Sequence, residues 1–218
     1  MNKNAWHEIT PHDYDRHMSH PHVEQTQMLN KIIKEQFELI PFDKRSKSCA
    51  AILGITNGNG LEHIHSSGIG HIIGIDINSC FLEECKNRYV DLLDKINLYK
   101  LDLMKDTTLA IGVLKVCDII ISNLLVEHIH LDNFMKLVNG LPRHGQIVSC
   151  VIQVNPNGVI ASESGVEHMF DAVVTQMEEV GEDALQLAMS KCGYLCENKT
   201  LYDLSNGKKF VRLDFVSK

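Results

Sequence analysis

Ala51-Ile52-Leu53-Gly54-Ile55-Thr56-Asn57-Gly58-Asn59-Gly60 is an apolar run that breaks into a glycine-rich turn, and Ile72-Ile73-Gly74-Ile75-Asp76 is a second apolar run that ends on an acid. Glycine lacks a side chain and tolerates positive φ, so a backbone built this way can turn sharply and approach a ligand closely. The pattern reads as strand, turn, a short helix opening at the turn, then strand. Free N–H groups at the start of that helix can receive a polar or anionic group. Asp76 lies 22 positions after Gly54. An α/β nucleotide fold places a carboxylate at about that separation to bind both hydroxyls of a ribose. The two runs together predict a site for a nucleoside-containing ligand. Gly60 is followed by Leu61, Glu62 and His63, so the third small residue of a dinucleotide fingerprint is missing. No Gly-Lys-Ser/Thr follows, which argues against a phosphate-cradling loop.

The same alternation extends outward. Strands are expected at Cys49–Ile55, Ile72–Asp76, Ile96–Leu101, Asp118–Asn123 and Gln146–Val154, with helices at 79–94 and about His130–Asn139. In the first of these helices Phe81, Leu82, Cys85, Tyr89, Leu92 and Leu93 form the inner face. Residues 163–192 read as one or two helices. Tyr194–Leu204 and Lys209–Val216 read as strands joined at Ser205-Asn206-Gly207, since Asn-Gly is a strong hairpin signal. Continuous apolar strands alternating with helices imply a parallel sheet covered on both faces. The predicted fold is α/β, a doubly wound, mostly parallel seven-stranded sheet with a C-terminal antiparallel hairpin. Upstream, residues 1–22 form a polar arm with a helical turn around Tyr14 to Met18. A helix follows over Val23–Ile40 until Pro41 ends it. The division expected is an arm and helix over 1–45, serving as a lid, and a main domain over 46–218.

The net charge of -7 and pI near 5.9 lower the expectation of a nucleic-acid partner, which would need a basic face. Cysteines stand at 49, 80, 85, 117, 150, 192 and 196, an odd number without a CxxC pair. That usage, with no apolar run of about 18 residues and no apolar leader, leads us to expect a reduced, cytoplasmic protein without a membrane span. The histidines of the arm, and His128 with His130, lack the spacing of a metal site, and none is expected.

Taken in order, these motifs resemble those of the class I (Rossmann-like) S-adenosylmethionine-dependent methyltransferases, over about residues 49–218. Gly54 to Gly60 resembles that family's glycine-rich loop. Asp76 matches the acid that holds the ribose, with Ile77 beside it. Asp102-Leu103 matches the position that contacts the adenine. Asp118-Ile119-Ile120-Ile121-Ser122-Asn123-Leu124-Leu125-Val126-Glu127-His128 matches strand four and the loop facing the methyl group. Gly193-Tyr194 resembles the family's last helix-to-strand turn. Two positions depart from it: Gly54 stands where the family carries an acid, and Thr56 where it carries a glycine. Thr56 must therefore pass without positive φ or under strain. What the resemblance implies is S-adenosylmethionine (SAM) as cofactor, held by Gly54, Ile55, Thr56, Asn57, Gly58, Asp76, Ile77, Asp102, Leu103, Asn123 and Leu124. Tyr14, His17, Met18 and Gln25 would join from the arm and its helix.

Methyl transfer from a sulfonium needs alignment and a dry approach, and a base where the acceptor carries a proton. Glu127 and His128 after strand four are the candidate catalytic groups, with His17 from the arm third. His128 can equally be a helix N-terminal residue without chemistry. The expected function is methylation of a small-molecule acceptor. A protein or tRNA methyltransferase and a non-catalytic cofactor-binding protein remain the alternatives, and no Asn-Pro-Pro-Tyr tetrad marks an amide or base nitrogen target. The acceptor pocket is expected from the arm, the loop after strand four and the insert near 155–170. Oligomeric state is left open.

Overall fold

A computed structural model describes residues 4–142, 145–155, 158 and 160–218. Seven strands form one sheet in the order β3-β2-β1-β4-β5-β7-β6. They are β1 (Cys49–Leu53), β2 (His71–Asp76), β3 (Ile96–Lys100), β4 (Ile119–Asn123), β5 (Ile147–Val154), β6 (Tyr194–Asp203) and β7 (Lys209–Ser217). The first five are mutually parallel, and β7 runs antiparallel to both β5 and β6. Chain order reverses at β1, so the switch point between β1 and β4 is where an open α/β sheet leaves a crevice for a ligand.

Alternation along the strands supplies two buried faces. Ala51, Leu53, Ile73, Ile75 and Ile120 point one way, onto α6 (Thr107–Leu114), α8 (Leu131–Asn139) and α10 (Glu182–Lys191). Ala50, Ile52, Ile72, Ile119 and Ile121 point the other way. They meet α2 (Gln25–Phe37), α4 (His63–Ser67) and α5 (Ser79–Arg88). Each fully buried Ile, Leu or Phe contributes about 1.5–3 kcal/mol relative to exposure. The helix α2 buries Ile32, Ile33 and Phe37, so it forms part of the sheet's cover.

The elements differ from the sequence reading in instructive places. The arm is more ordered than expected: α1 runs from Pro11 to Met18, with a 3₁₀ turn at Ala5–His7. Thr10 caps α1 by accepting from the Asp13 N–H at 3.1 Å, and Pro11 at its first position has no N–H to lose. The helix α2 is shorter than Val23–Ile40, because Glu24 precedes it at φ 53°. The helix α5 stops at Arg88, a 3₁₀ turn covers Val90–Leu92, and Leu93 is exposed instead of inward. The helix expected at His130–Asn139 is present as α8, and a further short helix, α7 (Val126–Ile129), precedes it, divided from it by His130 at φ 66°. Residues 163–192 hold a 3₁₀ turn at Glu167–Phe170, α9 (Asp171–Thr175) and α10. The short helices α3 (Phe42–Arg45) and α6 had no counterpart in the sequence reading.

Candidate functional site

A cleft opens at the carboxyl ends of β1, β2, β4 and β5, under the arm. Its empty volume, the open mouth included, is about 1180 Å³. Gly54 and Thr56 from the loop after β1 line it, with Asp76 and Ile77 from the end of β2. Leu101, Asp102 and Leu103 follow β3, and Asn123 and Leu124 close β4. Tyr14, His17, Met18 and Gln25 line it from the arm and α2, and Glu127 and His128 from α7. Most residues singled out from the sequence therefore converge on one cleft.

Three of them do not. Ile55 is buried in the core, where its side chain would block a Cβ on Gly74. Gly58 faces α5, and a Cβ there would stand 2.8 Å from Cys85, Leu61 and Tyr89. Asn57 turns to the arm, donating to the Pro11 carbonyl at 3.2 Å and to Asp15 Oδ1 at 2.9 Å. The helix expected to open at this turn begins only at His63. Three amides of the intervening segment are used within it: Gly58 donates to the Ile55 carbonyl, Leu61 to that of Gly58 and His63 to that of Gly60. The expected helix terminus at the glycine turn is thus corrected to a run of turns ahead of a five-residue helix.

Asp76 is buried, and its two oxygens accept from the Thr56 N–H at 2.9 Å and the Asn78 N–H at 2.8 Å. Burial lifts it to about 6, against those donated hydrogen bonds. Asn78, not Asp76, caps α5, accepting from the Cys80 N–H. Thr56 sits at φ 49°, so the loop is strained there. Its hydroxyl bonds the Tyr14 phenol, which burial pushes to about 12. Asp102 accepts from the Met104 N–H and from Lys105 Nζ at 2.7 Å. Asn123 forms a reciprocal amide pair with Gln36, at 2.8 and 2.9 Å.

The three candidate catalytic groups have different surroundings. Glu127 Oε1 accepts from the Gln153 N–H at 3.0 Å, while Oε2 has no hydrogen-bond partner among the described residues. Burial raises this carboxyl to about 7. His128 is pushed down to about 4 by burial, and its ring meets Trp6 edge-on at 4.9 Å. His17 Nδ1 lies 2.7 Å from Ser164 Oγ, its ring 4.5 Å from that of Phe170, and burial lowers it too. Among the described residues no three His, Cys, Asp or Glu side chains gather as a metal would require.

No protein-family model matches the sequence, and no curated protein matches it. Solved structures do. The magnesium protoporphyrin IX methyltransferase from Synechocystis PCC 6803, with bound SAM, aligns at a TM-score of 0.67 and 11% identity. That alignment covers 99% of this chain and 95% of the other. The fold is that of the class I methyltransferases. The pyocyanin biosynthetic protein PhzM aligns at 0.56 and 12% identity, over 85% of this chain and 54% of its own. A Galdieria sulphuraria protein, provisionally assigned as a sarcosine dimethylglycine methyltransferase, aligns at 0.60 and 12% identity, over 89% and 87%.

Within this methyltransferase fold, several cleft residues were not singled out from sequence. Trp6 comes from the arm, Gln153 from the end of β5, and Phe170, Val173, Val174 and Met177 from the segment before α10. Trp6 carried one usable signal, as the sole tryptophan, set in a polar stretch. Of the insert near 155–170, residues 156, 157 and 159 lie outside the described residues. Ile160 and Ala161 line the cleft.

Proposed function

We propose that this protein is a SAM-dependent methyltransferase acting on a small-molecule acceptor. The observation that carries the reading is one cleft at the switch point that brings the Asp76 carboxylate together with a buried, unpartnered oxygen of Glu127. The residues fit the cofactor. Asp76 retains acceptor capacity for a ribose, because its two oxygens carry four lone pairs and the amides of Thr56, Asn78 and Ile77 take three of them. Ile77, Leu101 and Leu103 offer an apolar slot for an adenine, and Asp102 stands at its edge. With Gly54 in place of an acid, backbone carbonyls of the loop or a group from the arm would hold the methionine end.

Bound SAM supplies a methyl group already activated as a sulfonium. The protein's part is alignment and exclusion of water. Trp6, Tyr14 and Phe170 close the cleft from the arm and the segment before α10. Glu127 is the base we favour, since Oε2 is free and the carboxyl titrates near neutrality. His128, held far below its ordinary value against Trp6, serves as a wall of the site, and His17 positions Ser164. A cytoplasmic setting follows from the cysteine usage. No helix among the described residues is long and apolar enough to cross a membrane. The second reading, a cofactor-binding protein without turnover, is favoured by Gly54 and by the strained Thr56.

Calorimetry with SAM, S-adenosylhomocysteine and NAD tests the cofactor. We expect micromolar binding of the first two and none of NAD, whereas binding of NAD alone would overturn the proposal. Turnover of radiolabelled SAM with a metabolite pool then separates an enzyme from a binding protein.

A further inference from the structure

The charge inside the cleft is one-sided. Asp76, Asp102 and Glu127 line it, and no lysine or arginine does so among the described residues. The nearby buried cations have their own hydrogen bonds and stay out of the lining. Lys208 Nζ donates to the Ile160 carbonyl at 2.6 Å, and Arg212 is paired with Glu35 and Asp214. An anionic acceptor, whether carboxylate or phosphate, would therefore meet no cation in the lining and would face Asp76 and Glu127, Asp102 being balanced by Lys105.

Two of these acids are occupied. Asp76 accepts backbone amides beside the ribose position, and Asp102 is bonded to Lys105 and Met104. Glu127 differs, because it is only 4% exposed and Oε2 is unpartnered while Oε1 is fixed on the Gln153 N–H. A buried carboxylate oxygen left unmatched costs roughly 1–3 kcal/mol or more, a cost that a donor on a ligand would recover. Glu127 also stands at the β4–β5 end of the cleft, away from Asp76 on β2. Aromatic and apolar side chains, Trp6, Phe170, Val173 and Met177, line the same cleft, and Trp6 meets the ring of the neighbouring His128 at 4.9 Å. Aromatic faces in a cleft that holds a buried carboxylate, with no lysine or arginine in its lining among the described residues, suit an ammonium group.

We propose that the methyl acceptor is a small amine with an apolar or aromatic body, whose nitrogen is bound by Glu127 Oε2. The inference rests on the methyltransferase reading and names its substrate class. The amine enters as an ammonium and donates to Oε2, which takes one proton. The lone pair so freed forms the C–N bond as the methyl's C–S bond breaks, its electron pair leaving on the sulfur. The carboxyl that results is neutral in a buried site, in keeping with its elevation to about 7.

The test uses the full chain saturated with S-adenosylhomocysteine. Matched probes differ only in head group: amine, alcohol and carboxylate on benzyl, phenethyl and indolylethyl bodies. Binding is read by ligand-observed NMR. At least one amine should bind at least tenfold tighter than its matched alcohol, and its matched carboxylate should not bind. Glu127→Gln should erase that preference while leaving S-adenosylhomocysteine affinity within twofold. A carboxylate or alcohol binding as well as its amine, no amine binding at all, or a preference that survives Glu127→Gln would each overturn the proposal. Failure of wild-type protein to bind S-adenosylhomocysteine sinks the methyltransferase reading itself, and this proposal with it. The wild-type series does not depend on the variant folding.

Discussion

At Gly54 the backbone takes φ 67°, and a Cβ there would meet Leu125 Cδ1 at 3.1 Å. The acid expected at this place by family resemblance would need both a left-handed backbone and a displaced Leu125, so the departure is built into the loop's shape. Two positions on, Thr56 bears the same handedness at φ 49° without glycine's freedom, a strain of order 1–3 kcal/mol. Glu127 is the costliest of these residues at neutral pH. Its folded value of about 7 exceeds the ordinary 4.5. The unfolded chain releases that proton from pH 4.5 upward, the folded chain only near 7. Stability contributed below pH 4.5 is therefore lost as pH rises across that window, by on the order of 3 kcal/mol in full. Glu127→Gln removes the titration. Thermal midpoints of variant and wild type should diverge by about 6–12 °C in the variant's favour between pH 4.5 and pH 8. The opposite slope from His128 is common to both proteins and cancels. A difference independent of pH would mean that Glu127 titrates normally.

Elements that carry the fold were legible because their chemistry is regular. Ile119-Ile120-Ile121 and Ile147-Val148 are apolar on both faces, as central parallel strands must be. The helix α6 escaped notice because Thr107-Thr108-Leu109-Ala110-Ile111-Gly112-Val113-Leu114 has no charged face and several β-branched residues. Packing on α8 and the sheet, not propensity, makes it helical. The break at His130 has neither glycine nor proline to announce it. The site divides the same way: Asp76, Asp102 and Asn123 fall at strand ends and could be read off, while Trp6, Phe170 and Met177 arrive from segments with no periodic signal. The arm's attachment runs through Asn78. Its Oδ1 caps α5, and its Nδ2 donates to the Trp6 carbonyl at 2.8 Å and the Ile9 carbonyl at 2.9 Å. Asn78→Asp keeps the cap and sets a carboxylate against those carbonyls. We expect faster proteolysis within residues 4–18 and about tenfold weaker SAM binding, with helix content retained by circular dichroism. Unchanged proteolysis would show that Asn57 and the Arg88–Asp15 ion pair hold the arm without it.

Across the whole molecule, a buried polar seam joins the C-terminal hairpin to the cleft. Arg212 on β7 bonds Asp214 through Nε at 3.2 Å, and Glu35 and the Tyr202 hydroxyl through Nη1 at 2.8 and 2.9 Å. Asp214 accepts from Ser149 Oγ at 2.6 Å, and Ser149 accepts from Gln36 Nε2 at 2.8 Å. Gln36 in turn holds Asn123 in the cleft. An antiparallel hairpin added to a parallel sheet thereby helps set a side chain two strands away. The seam is satisfied only as a unit, and low surrounding polarity makes each missing partner expensive. Arg212→Leu leaves Asp214 buried without its cation, and should cost about 3–5 kcal/mol, read as a lower midpoint in urea. Arg212→Leu with Asp214→Leu removes both charges and should recover part of that loss, because an apolar pair of similar volume avoids the uncompensated carboxylate. If the double variant is no more stable than the single one, the seam's worth lies in Ser149 and Gln36, whose alignment depends on Asp214, and SAM affinity should then fall in step with stability as Asn123 loses its anchor.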